Sequence, residues 1–370
     1  MNISLLILLL FAVVTPLLLK KLRPNIEWQV IGFTLAGFLI LACFAFYMGK
    51  AGQTMDVEVL NGEVTGKHNE RVSCEHSYQC NCRQVQSCST DSRGQRSCTS
   101  TTVCDTCYEH SYDVDWIVDS NIGHSRISRV DRQGLSTPGR WAATQVGEPY
   151  ADTHIHTNYV KAVPESVFHL SDKLIAEKFK TMIPAYPKEI YDYYRINRAL
   201  TVGVNVPDLQ LWSNDISTIL KQLGPQKQAN IITLFVNTDD PAYEYALRQA
   251  WLGAKKNDIV VLFGTTQYPK IDWVRVMSWT DKEIFKVQLR DALQDMGTID
   301  RMTMIPVIKD LTLKEFKRKS MKDFAYLENE IDPPTWVIIL AIVLMIGVAG
   351  FIYKQSAPFT GRRMYGRRSF

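Results

Sequence analysis

Seven cysteines, Cys74, Cys80, Cys82, Cys88, Cys98, Cys104 and Cys107, fall within 34 residues. Cysteine cross-links, ligates metal or stays a free thiol. The segment holds few large apolar side chains, so burial alone cannot fold it and cross-links of some kind are expected. Cys88 and Cys98 flank Asp91-Ser92-Arg93-Gly94, a turn-like sequence, which suggests a stapled hairpin. Cys80-x-Cys82 and Cys104-x-x-Cys107 admit two readings: disulfide partners, or a zinc knuckle close to the paired Cys-x-x-Cys form. His76 and His110 flank the two pairs and can substitute as ligands. Either reading brings the pairs together. The odd count leaves one cysteine unpaired, paired between chains, or on a metal. Cys43 lies in an apolar run and reads as a small apolar filler.

Weaker candidates lie downstream. His154, His156 and Asp152 share one face of a predicted strand, as a metal site or as a solvated polar face would. Asp239 and Asp240 follow another predicted strand. Paired carboxylates there can hold a hard divalent cation, although helix capping by Asp240 also explains them. Asp272 and Asp281 would complete an acidic cluster. Tyr191, Tyr193 and Tyr194 with Arg195 and Arg198 offer either base stacking or an interfacial surface. The chain has no GxSxG, P-loop, HExxH or dinucleotide fingerprint. A binding or assembly role is therefore expected ahead of catalysis, with zinc or another divalent cation as the candidate cofactor.

Three charge-free apolar stretches, Ile3–Leu19, Trp28–Met48 and Trp336–Tyr353, must position these residues. A bilayer core of about 30 Å needs roughly 17–25 helical residues. The first stretch lacks a basic leader and is followed by Lys20-Lys21-Leu22-Arg23-Pro24 rather than a cleavage site, so it reads as a retained span. Lys20, Lys21 and Arg23 follow it, and Lys354, Arg362, Arg363, Arg367 and Arg368 follow the third. The positive-inside rule puts both segments in the cytoplasm and residues 49–335 outside, where disulfides persist. The net charge of +4 thus reports topology: the soluble region is acidic, which argues against nucleic acid as a partner. The expected partners are the lipid bilayer, an unidentified protein and a second copy of the chain. Gly32-x-x-x-Ala36 and the pair Gly347 and Gly350 would provide faces for close helix packing.

Between the spans, Val57 and Val59 before Asn61-Gly62 predict a hairpin. Tyr112, Val114, Trp116 and Val118 predict a half-buried strand. Beyond residue 205 helix and strand alternate. Ile216, Ile219, Leu220 and Leu223 form one helical face, stopped by Gly224-Pro225. Ile231–Val236, Ile259–Phe263 and Asp272–Trp279 read as strands. Asp240-Pro241 opens a helix, and so, as capping boxes, do Thr280-x-x-Glu283 and Thr312-x-x-Glu315. This alternation implies a parallel or mixed sheet covered by helices.

The segment from about Leu211 to Phe324 resembles the TPM-domain family. The residues that carry the likeness are Ala229–Val236, Tyr245–Trp251, Lys255–Phe263 and Val274-Arg275-Val276. The resemblance implies an α/β sandwich and, as an alternative function, a metal-dependent phosphatase. Members commonly end in a glycine- and serine-rich tail; here the tail is rich in arginine. A cysteine-based redox or zinc-binding membrane module is the third functional reading. The expected architecture is an integral membrane protein with three transmembrane helices. It comprises a first helix and cytoplasmic loop (1–27), a second helix (28–48), and a cysteine-rich, β-rich extracytoplasmic domain (49–200). An α/β TPM-like domain (205–330), a third helix (336–353) and a basic cytoplasmic tail (354–370) complete it.

Overall fold

The computed structural model describes residues 2–90, 96–163 and 173–356. Helices α1 (Ile3–Leu22) and α2 (Trp28–Thr54) come first. A long strand β1 (Met55–Val72) leads into a ribbon of β2 (Ser77–Thr90) and β3 (Arg96–Tyr108). Strands β4 (Asp113–Ser120) and β5 (His124–Ile127), helix α3 (Gly139–Ala143) and strand β6 (Pro149–Thr157) follow. Short pieces α4 (Tyr159–Ala162), α5 (Lys173–Phe179), β7 (Ile190–Tyr191) and β8 (Arg195–Ile196) precede β9 (Ala199–Val202). Then come α6 (Leu209–Lys227), β10 (Asn230–Val236), α7 (Tyr243–Ala250), β11 (Asp258–Gly264) and β12 (Trp273–Ser278). Helices α8 (Ile284–Gln294) and α9 (Arg301–Glu315), a 3-10 stretch (Met321–Glu330) and α10 (Thr335–Gln355) finish the described chain.

The chain forms two compact units. One comprises Met1–Val57, Ile155–Lys173 and Lys319–Phe370; the other, Glu58–His154 and Leu174–Arg318. The first is built on α1, α2 and α10, of 20, 27 and 21 residues with mean hydropathy 2.5, 2.3 and 2.7. At 1.5 Å per residue each is long and apolar enough to cross a bilayer core. Large apolar side chains such as Phe33, Phe44 and Phe351 point outward and are more than 60 % exposed, as suits a lipid solvent. The helices meet through Leu8, Ala12, Ala42, Phe46, Ala341 and Met345. This alanine seam replaces the expected glycine one: a side chain at Gly32, Gly347 or Gly350 would meet open space. The second helix also runs past Met48 to Thr54.

In the second unit, one four-stranded sheet has the order β12-β11-β10-β9. Strands β9, β10 and β11 are parallel and β12 is antiparallel. Every residue of β10 and β11 is buried, so both faces must be covered. Strand alternation divides them. Ile231 and Phe235 meet Trp212, Ile216, Phe285 and Leu289 of α6 and α8. Ile232 and Leu234 meet Tyr243 and Leu247 of α7. The second sheet, β5-β4-β1-β6, packs Val64, Trp116, Val118, Ile127 and Tyr150 together.

Four local expectations are corrected. Asn61-Gly62 is no hairpin turn but lies inside β1; the buried Asn61 amide donates to Ala229 O at 2.9 Å, a tertiary bond that overrides the local turn preference. Helix α6 continues through Pro225 to Lys227, giving up the one backbone hydrogen bond that the proline cannot donate. Gly224 instead permits packing: a Cβ there would lie 2.0 Å from Asn61 O. Thr280 accepts from Lys282 N rather than Glu283 N, and α8 starts at Ile284. Thr312 and Glu315 close α9 instead of opening a helix; the helix is capped at its start by Asp300, which accepts from Met302 N.

Candidate metal centre

The ribbon β2–β3 pairs from Ser77↔Tyr108 to Thr90↔Arg96 and projects almost wholly into solvent. Three disulfides staple it: Cys80–Cys107, Cys82–Cys104 and Cys88–Cys98. The expected Cys88–Cys98 bridge is therefore present, while the turn Asp91-Ser92-Arg93-Gly94 lies outside the described residues. The zinc-knuckle alternative is corrected, since all four of its sulfurs are spent in bonds to each other. The register shift between Cys80 and Arg83 explains the pairing. Asn81 has φ of 49°, a left-handed residue that forms a bulge and turns Cys82 toward Cys104.

Cys74 is the odd cysteine, and the base of the ribbon collects partners for it. It lies in the link from β1 to β2, with His76 just before β2. His110 follows β3, and Asp113 opens β4. The register Val72↔Asp113 brings the two links side by side. One ligand atom from each of Cys74, His76, His110 and Asp113 lies within 4.8 Å of every other. Cys74 Sγ is 3.7 Å from His110 Nδ1. Asp113 Oδ1 is 3.3 Å from His110 Nδ1, and Oδ2 is 3.5 Å from His76 Nδ1.

These separations are long for charge-assisted hydrogen bonds, which run about 2.7–2.9 Å. They lie near the edges of a tetrahedron around zinc, about 3.3–3.6 Å when nitrogen and oxygen sit near 2.0–2.1 Å and sulfur near 2.3 Å, and a small inward shift of the ligands would close the set. His76 Nδ1 and Asp113 Oδ1 are buried and make no hydrogen bond that meets ordinary geometry. Leaving such atoms orphaned costs about 1–3 kcal/mol each; a cation at the centre satisfies both.

The surroundings are built for this. Asp113 is fully buried; Arg129 Nη1 donates to its Oδ2 at 2.8 Å and Glu75 N at 3.0 Å. The Glu75 amide, followed by Cys74, Arg129 and His110, holds the carboxyl down to about 2 despite burial. Arg129 also grips Asp115 at 2.6 Å, and Arg126 joins Asp115 to Glu75 at 2.9 Å each. Outer partners of this kind fix ligand orientation. Two guanidiniums face three carboxylates here, and the Cys74 thiolate would add a fourth negative charge. A divalent cation cancels the excess.

The remaining candidates do not converge. Asp240 pairs with Lys178 at 2.6 Å and caps Ala242 N at 2.9 Å. Asp272 accepts from Thr266 at 2.7 Å, and Asp281 pairs with Lys317 at 2.9 Å. His154 contacts the buried Glu58 at 3.0 Å. Among the described residues, neither Asp239 and Asp240 nor His154, His156 and Asp152 belong to a metal-capable group of three. The Tyr191–Arg198 segment divides: Tyr194 and Arg198 are buried, at 1 % and 3 % exposure, while Tyr191 and Tyr193 are exposed. Sequence reasoning placed His76 and His110 beside the wrong cysteines and missed Asp113. The available signal was the pattern Cys-x-His before the ribbon and His-x-x-Asp after it.

No family model matches the chain, and neither does a curated protein or a solved structure.

Proposed function

We propose that this is a membrane-anchored binding protein in which a zinc ion ties down the base of a disulfide-stapled arm. The carrying observation is that one ligand atom from each of Cys74, His76, His110 and Asp113 lies within 4.8 Å of every other. One sulfur, two imidazoles and one carboxylate are a borderline-soft set that favours zinc over calcium or magnesium. Four protein ligands close the coordination sphere, which is the pattern of a structural site rather than a catalytic one. The ion would join both strands of the exposed ribbon to β4, and the rigid arm would meet an extracytoplasmic protein partner.

The same reading places residues 49–335 outside the cytoplasm. Three disulfides suit an oxidising compartment. Asn25 donates to Ser356 O at 3.1 Å, and Arg23 lies over the Tyr353 ring at 4.2 Å. The basic loop and the end of α10 thus share one end of the bundle, in keeping with a common cytoplasmic side. The mixed sheet with helices on both faces supports a TPM-like reading of the segment from Leu211 to Phe324.

The test is elemental analysis of the full chain, purified without chelators into lipid nanodiscs. About one zinc per chain is expected, lost in Cys74→Ala and His110→Ala while the three disulfides persist. Absence of metal, or retention of it by both variants, overturns the reading.

A further inference from the structure

A second site lies in the body of the same unit, away from the cysteines. Arg198, just ahead of β9, lines a cavity of about 210 Å³ and is only 3 % exposed. Its Nε donates to Ser217 Oγ at 3.2 Å, and its two Nη atoms donate to the amide oxygens of Asn230 and Asn61. A guanidinium has five N–H groups, so two are left without an acceptor among the described residues. Among the described residues Arg198 has no ion-pair partner; Asp258 is reached only through Asn230, whose Nδ2 donates to it at 2.8 Å. A buried cation held by neutral amides is costly, and burial pulls this one down to about 10.

The cavity wall mixes aromatic rings with polar groups, Ser213, Asn214 and Ser217 among the latter. Tyr150 and Tyr194 stack with centroids 5.2 Å apart and planes 17° apart, and Ile196 lies beside them in the lining. The lining contains two arginines and no carboxylate. The other arginine, Arg195, is already shared with Glu148 at 3.5 Å and Asp192 at 3.4 Å. Among the described residues the Arg198 guanidinium therefore lacks a direct ion pair, and Asp258 acts on it only from a distance. Thr218, on the exposed side of α6, stands at the rim.

We propose that this cavity binds a small organic monoanion, a carboxylate on a flat apolar body, with the carboxylate on Arg198 and the body against Tyr150 and Tyr194. A single charge matches the one guanidinium that has no carboxylate in direct contact among the described residues. An inorganic anion would leave the aromatic part of the wall, Tyr150 and Tyr194, without contacts. The carboxylate takes the two spare N–H groups in a bidentate pair, the geometry arginine favours.

Sodium benzoate is the probe, titrated calorimetrically into the full chain in nanodiscs at constant ionic strength, with acetate, phosphate and chloride in parallel. The expected result is one benzoate per chain, bound more tightly than acetate or phosphate. Thr218→Trp closes the rim from the exposed face of α6. It should abolish binding while leaving the ligand-free unfolding midpoint unchanged. Arg198→Gln should weaken binding roughly a hundredfold. Benzoate binding no better than chloride overturns the proposal, as does phosphate binding equal to benzoate. Benzoate binding that survives Thr218→Trp places the ligand elsewhere and overturns it too.

Discussion

Replacing Asn61 by alanine separates a surface turn from a buried anchor. At an exposed Asn-Gly turn the change would cost within about 0.5 kcal/mol. Here Asn61 is 3 % exposed in the middle of β1. Its Nδ2 donates to Ala229 O at 2.9 Å and to Asn230 Oδ1 at 3.2 Å, and its Oδ1 accepts from Arg198 Nη2. The substitution orphans a buried carbonyl and a donor on a buried cation. Each orphan costs about 1–3 kcal/mol, more on the charged group, and water entering the adjoining cavity offsets part of that. The expected loss is roughly 2–4 kcal/mol. Urea unfolding of the full chain in nanodiscs, followed by tryptophan fluorescence with Trp212 as a buried reporter, reads it directly. A loss below about 0.5 kcal/mol would mean that Asn61 is solvated, and the network with Arg198 would fall with it.

Three further outcomes follow from the same coordinates. Gly224→Ala sets a methyl group 2.0 Å from Asn61 O and should cost about 1–3 kcal/mol in the same unfolding experiment; an unchanged midpoint would show that α6 does not press on β1. Burial raises Asp258 from 3.8 to about 6, so the folded state holds its proton more tightly than the unfolded chain. Its contribution is fully present below pH 3.8 and declines by roughly 3 kcal/mol as pH rises to about 6. Asp258→Asn should flatten the stability profile across that window, and a profile of unaltered slope would contradict the assignment. A reporter cysteine at Ser356 should resist an impermeant thiol reagent in intact cells and react after permeabilisation; labelling of intact cells would reverse the proposed topology.

The spans were legible because a bilayer demands long charge-free helices whatever the sequence does elsewhere. The α/β region was legible for a similar reason: strands such as Ile231–Val236, buried on both faces, need continuous apolar runs. Asn61-Gly62 misled because a turn signal is local, whereas the Asn61 amide answers to Ala229, far away in sequence. The Thr280 signal announced α8 correctly, with Phe285, Leu289 and Leu293 buried on one face, whereas the Thr312 signal misled, since Thr312 and Glu315 close α9. At the cysteine module, spacing showed that Cys80, Cys82, Cys104 and Cys107 converge. It could not show that the Asn81 bulge would pair them as disulfides and leave Cys74 over. Asp113 was invisible as a candidate ligand because it opens an ordinary strand. Only the register Val72↔Asp113 carries it to Cys74.

X-ray absorption at the zinc edge, on the full chain in nanodiscs, addresses the metal centre most directly. The account predicts one sulfur at about 2.3 Å and three nitrogen or oxygen scatterers at about 2.0–2.1 Å. The sulfur shell should vanish in Cys74→Ser. Two or more sulfurs would mean that a stapled pair of the ribbon opens to bind metal, and a shell of oxygens alone would mean a surface ion; either result contradicts the centre formed by Cys74, His76, His110 and Asp113.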